Sequence, residues 1–187
     1  MAGPTFDPRH AVRFDLPRGS VTTGSNERHV VLSCAAIDDL VLIAGPEAAG
    51  AVGRSLGASI GQRVAVRLGG TMGVSDSSIE TVVAHLGGEI AVAGLGVLAI
   101  ERWGRAMAVL VDRPAVSDLA FLASILEGAL EAATSRPVRC IALGRDGGAV
   151  RVLVAGASGV DRARAWLAEG CTWGEVIARL QAKGDGA

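Results

Sequence analysis

Between Pro46 and Leu68, glycine recurs at positions 50, 53, 57 and 61, beside an aliphatic row of Ala49, Val52, Leu56, Ile60 and Val64. Steps of three and four residues return to one side of an α-helix, so the segment predicts a helix with a flat glycine groove and an apolar ridge. Each interior glycine costs on the order of 1 kcal/mol relative to alanine. Four on one face therefore need an offsetting gain, which close approach of another backbone or of a ligand supplies. Three arrangements meet that need: packing within the chain, a seam between two molecules with Gly50, Gly53, Gly57 and Gly61 as interface residues, or a ligand wall. The last two are compatible, because one helix can show its glycines to a partner and Leu56 and Ile60 to a cavity.

The rest of the composition narrows what can surround such a helix. With 187 residues, half of them apolar, the chain suits one globular domain over residues 10–180, preceded by a flexible stretch at 1–9 that holds Gly3, Pro4 and Pro8. A formal net charge of −1 and singly scattered arginines give no basic face, which argues against nucleic-acid binding. Glycines 87, 88, 94 and 96 and Glu101 interrupt the longest apolar stretches before the roughly 20 residues a membrane span needs. Cys34, Cys140 and Cys171 are an odd number at wide spacing, and no signal-peptide pattern is visible, so the expectation is a cytoplasmic protein with reduced thiols.

Local patterns predict an α/β (α+β) fold: an antiparallel sheet of about four strands packed against several helices, with an N-terminal hairpin and two short C-terminal helices. Residues 11–16 and 29–32 read as the hairpin strands around a turn-rich 17–26. Ser33 caps a helix over 35–43, Gly45 ends it, and Pro46 opens the glycine-striped helix at a corner. Gly69, Gly70 and Gly73 read as a flexible loop, followed by a helix from Ser77 or Ser78 to about Val92, interrupted at Gly87-Gly88. Val97 to Trp103 and Arg105 to Asp112 form a hairpin that Pro114 stops. Ser117 caps a helix with Leu119, Leu122, Ile125, Leu126, Ala129 and Leu130 inward and Glu127 and Glu131 outward. A second hairpin, 138–143 with 149–154, turns at Asp146-Gly147. Ser158 with Asp161 and Thr172 with Glu175 have capping-box spacing and open two closing helices within 158–182.

Several of these features together resemble a known family. The helix glycines Gly53, Gly57 and Gly61, Gly94-Leu95-Gly96 leading into a hairpin that ends at Val111 to Pro114, Glu127-Gly128-Ala129 in the following helix, and Pro137-Val138 with Cys140 and Gly144 look like the 4-vinyl reductase or hydrocarbon-binding domain. The stretch covers residues 45–155. The resemblance implies a fold shared with TRAPP vesicle-tethering subunits, frequent dimerisation, and an apolar small-molecule site of the kind used by sensors in aromatic-responsive regulators and found beside bacteriochlorophyll biosynthesis. The family's second cysteine is replaced here by Gly148, and a usual aromatic by Val150.

Chemistry-bearing residues are sparse. His10, His29 and His85 do not stand at ligand spacing with the cysteines, so no metal is assigned. Cys140 in an apolar strand has no histidine partner, and Gly94-Leu95-Gly96 lacks the third glycine, the following helix and the Lys-Ser/Thr ending of a nucleotide loop. No catalytic residue and no cofactor are assigned. Glu101, Arg102, Trp103 and Arg105 can form a recognition edge, which makes Trp103 an interface candidate. The leading expectation is a sensor or binding module for an apolar ligand, acting through a separate partner, with Leu56, Ile60, Leu122, Leu126 and Cys140 around the pocket. The alternative is a ligand-free dimeric scaffold that pairs with itself or another protein. A reductase-like enzyme of tetrapyrrole metabolism ranks third.

Overall fold

A computed structural model describes residues 6–23, 27–103 and 106–182; Arg105 of the expected recognition edge lies outside them. Among the described residues the chain forms β1 (Val12–Asp15), β2 (Ser20–Thr23), β3 (Arg28–His29), α1 (Cys34–Arg67), α2 (Gly70–Asp76), α3 (Ile79–Val92), β4 (Val97–Trp103), β5 (Ala106–Asp112), α4 (Leu119–Thr134), β6 (Arg139–Asp146), β7 (Ala149–Ala155), α5 (Ala157–Ala168) and α6 (Trp173–Ala182). The four-stranded antiparallel sheet has the order β4-β5-β7-β6, and β1-β2-β3 form a separate meander. The expected α+β class, sheet, N-terminal hairpin and C-terminal helices are all present. The meander has a third strand because Gly19, at φ 57°, closes a tight turn after Leu16.

α1 runs under a Ser33 cap that accepts the Ala36 N–H at 3.2 Å, and it breaks where expected, at Gly45 (φ 73°, ψ 170°). Gly53, Gly57 and Gly61 all face α4. A methyl group on Gly57 would overlap the Ile125 carbonyl and lie 2.8 Å from the Ala129 nitrogen; one on Gly61 would overlap the Ala129 carbonyl, and one on Gly53 the Ser124 hydroxyl. Gly128 of α4 reciprocates, since a methyl there would overlap the Arg54 carbonyl. The missing side chains let two backbones meet, and the crossing carries Ile60, Val64, Leu122, Ile125 and Leu126 onto the sheet with Val109, Val111, Val150 and Val152. On the opposite face, Leu143 and Leu153 pack against Ala163, Val176 and Ile177 of α5 and α6.

Several local expectations are corrected. Gly73 does not lie in a loop: it starts no clash with the Leu68 carbonyl, which a methyl would, and so lets α2 fold back on the end of α1. α3 passes through Gly87-Gly88 without a break, because Gly88 receives the Phe6 ring, over which the Arg67 guanidinium sits at 4.9 Å. Asp118, not Ser117, caps α4, accepting the Phe121 N–H at 2.7 Å; Ser117 instead donates its N–H and hydroxyl to Asp38 of α1, both at 2.8 Å. α5 starts at Gly156 with no side-chain cap, whereas Thr172 and Glu175 do form the capping box of α6.

Candidate functional site

Two clefts flank the sheet. The first, about 560 Å³, lies between α3 and β4 and is lined by Ile79, Val83, Gly87, Leu98, Ile100 and Arg102 among others. The second, about 790 Å³, lies along β6 between α4 and α5. Among the described residues strand β6 is an edge strand, paired only with β7, so residues from both of its faces reach this cleft: Cys140 and Ala142 with Leu119, Ala120 and Ala123 of α4, and Ile141 and Leu143 with Val160 and Leu167 of α5. Arg54 and Gly50 of α1 complete one side.

The polar frame of this cleft is the part that helical periodicity misses. Glu127 and Glu131, expected on a solvated face, turn instead toward the edge strand. Glu127 is only 6% exposed; one carboxylate oxygen accepts the Cys140 N–H at 3.0 Å and the other accepts Arg139 Nη1 at 2.9 Å. Glu131 accepts the Val138 N–H at 3.1 Å. α4 is buried on almost every side from Phe121 to Leu130, so the face opposite its apolar row meets protein rather than water. A hint was available in the run Phe121 to Leu126, which is too apolar around the whole helix for one face to be free.

Burial, then the neighbouring Glu127 and Glu131 carboxylates, push the Cys140 thiol far above its usual range. It is a neutral core group and not a nucleophile at neutral pH. Cys140 is the one predicted pocket residue at the cleft. Ile60, Leu122 and Leu126 sit in the packed core, and Leu56, 40% exposed, points away from them on the outer side of α1. Of the predicted interface residues, Gly53, Gly57 and Gly61 are covered by α4 and Gly50 lines the cleft. Trp103 packs edge-on against Trp173 of α6 at 5.8 Å and donates to Glu101. Arg151 lies 4.1 Å over the Trp173 ring and bridges Glu101 and Asp146, and this contact holds the Glu101 carboxyl below its usual range.

A second charged cluster ties α1 to α3. Glu89, 2% exposed, meets Arg63 Nε at 2.7 Å; Arg67 Nη2 lies 3.0 Å from its other oxygen, close enough for charge attraction but off-line for a hydrogen bond. Arg63 also reaches Glu27, whose carboxylate accepts the Ser59 hydroxyl and so anchors the meander. His85 is buried edge-on to Phe6. The His10 side chain lies outside the described ones. Among the described residues no three His, Cys, Asp or Glu side chains are grouped to hold a metal ion, and no helix is long and apolar enough to cross a membrane.

No protein-family model matches the sequence, and no curated protein matches it significantly. Among solved structures, the phenol-responsive sensory domain of the transcription activator PoxR, crystallised with phenol, aligns with a TM-score of 0.60 and 17% identity, over 84% of this chain and 90% of that one. The two share a fold, one that in PoxR serves as a small-molecule sensory domain.

Proposed function

We propose that this chain is a small-molecule-binding module of the sensory kind, which holds an apolar compound and passes its occupancy to a separate partner. The observation that carries this reading is the 790 Å³ cleft of α4, β6 and α5, which is within the size range of ligand sites and combines aliphatic walls with a few charged groups. The shared fold with a phenol-responsive sensory domain supports it. So does the glycine-patterned helix that resembles hydrocarbon-binding and 4-vinyl reductase relatives. The packed layer of Ile60, Leu122 and Leu126 gives α4 a firm backing, against which a ligand at Cys140 and Ala123 can be felt by α1. Native mass spectrometry of protein purified from its own host tests the reading: a retained small molecule is expected, and it should be lost in Ala120→Trp, which fills the cleft from an exposed position. A protein with no bound mass, and with no saturable uptake of aromatic or aliphatic compounds, would sink it.

The scaffold reading is favoured by a different observation. Val30, Val31, Leu32, Leu40, Leu42 and Ile43 are 52–82% exposed, and Val52, Leu56 and Val66 continue the aliphatic surface along α1. Such a concentration marks a protein contact more often than bare surface. With the glycine face occupied by α4, self-association would use the outer side of α1. Sedimentation of wild type and of a Leu42→Glu, Ile43→Glu double variant tests this: a dimer that the variant converts to monomer supports the scaffold, and a wild-type monomer removes the homodimer.

A further inference from the structure

The charges around the α4–β6–α5 cleft do not balance. Arg54, Arg139 and Arg164 stand at it with only Glu127 and Asp161. Four of these five are paired: Arg139 Nη1 lies 2.9 Å from Glu127, and Arg164 Nη1 lies 3.0 Å from Asp161. Arg54 is the one left over, with no carboxylate in salt-bridge range among the described residues. The backbone of Arg54 is well fixed, whereas its side chain is exposed at the mouth of the cleft. Its backbone presses against Gly128 at the α1–α4 crossing, and its Nη1 lies 3.6 Å from where a methyl on Gly50 would be, so the guanidinium folds back over a residue that itself lines the cleft.

An unbalanced guanidinium beside an aliphatic trough discriminates among ligands. A cation meets excess positive charge, and a neutral molecule leaves the guanidinium unused. A carboxylate matches its planar donor fork with two parallel hydrogen bonds, and an apolar body attached to it fills the trough. We infer that the cleft takes an apolar organic acid, whose carboxylate is received by Arg54 while its hydrocarbon or aromatic part lies along α4, β6 and α5. The inference rests on the small-molecule reading above and narrows it to a ligand class.

The test is a fluorescence titration of the full chain with 11-(dansylamino)undecanoic acid and with its methyl ester, which differ only in the charged end. Wild type should bind the acid saturably and at least tenfold more tightly than the ester. Arg54→Gln should weaken the acid to the level of the ester while leaving the ester unchanged, and Ala120→Trp should abolish both, with an unaltered circular dichroism spectrum in each variant. Equal affinities for acid and ester in wild type, or an acid preference that survives Arg54→Gln, would overturn the organic-acid assignment while leaving a neutral ligand in the same cleft. Binding retained in Ala120→Trp would place the site elsewhere and overturn it too. Absence of saturable binding by either probe would remove the small-molecule reading along with it.

Discussion

Alanine substitutions along one face of α1 should change stability in opposite directions, although every one replaces a helical glycine. The propensity gain is the same throughout, about 1 kcal/mol per site. At Gly50 nothing opposes it: the nearest atom to the new methyl is Arg54 Nη1 at 3.6 Å, an ordinary contact with a flexible side chain. Gly50→Ala should therefore stabilise the protein by roughly 0.5–1 kcal/mol. At Gly57 the methyl overlaps the Ile125 carbonyl and comes within 2.8 Å of the Ala129 nitrogen, and both are backbone atoms held in α4. Relief requires the helices to separate by about 1 Å, a gap that forfeits a quarter to a half of the dispersion energy of each contact across the crossing. Overpacking of this kind costs about 1–3 kcal/mol or more, so Gly57→Ala should be destabilising even after the propensity gain. Gly53→Ala should fall between, because the Ser124 hydroxyl it displaces can rotate. Thermal unfolding followed by circular dichroism reads all three, and the two extremes should differ in melting temperature by several degrees, at roughly 2–4 °C per kcal/mol. A Gly57→Ala variant as stable as wild type would refute the close-approach argument.

Other consequences can be measured in the same way. Leu122→Ala should cost about 2–5 kcal/mol, since Leu122 is fully enclosed in the core; a loss below 1 kcal/mol would mean that the α4 layer is loosely filled. Glu127→Ala should lose about 1–3 kcal/mol in the same unfolding assay by leaving the Cys140 N–H buried without an acceptor, and a neutral result would show that water replaces the carboxylate. Native protein should react with a thiol reagent at exposed Cys34 and not at Cys140, as peptide mapping would report. Because the folded state raises the Cys140 pKa above its ordinary value of 9.0, the unfolded chain releases that proton first as pH rises. Stability should therefore fall from about pH 9 upward, and the Cys140→Ala variant should lack that part of the slope.

What the sequence makes legible follows from whether a pattern is local. The glycine period reports a close approach on one side of α1, and the structure supplies the missing partner as α4. Period alone does not identify that partner, because a backbone of the same chain and one of another molecule are met by the same flat face. The Gly45 break and the Thr172–Glu175 cap are readable because their causes lie within four residues. Asp118 displaces Ser117 as a cap because Asp38, distant in sequence, engages Ser117. The cleft is illegible for the same reason: α1, α4, β6 and α5 each contribute to it, and its unbalanced charge belongs to none of them alone.

The carboxylates of Glu127 and Glu131 bear on where the four-stranded sheet stops. The N–H groups of Cys140 in β6 and of Val138 just before it are both taken by α4 carboxylates and not by β7, so both lie on the unpaired side of the strand. An open edge of that kind is a template on which another extended chain can grow. Two side chains one helical turn apart occupy the positions where the acceptors of a fifth strand would be, and the register shift between Ala142 and Gly144 bends the strand just beyond them. The sheet thus ends at β6 without a further strand, its growing edge closed from within by a helix.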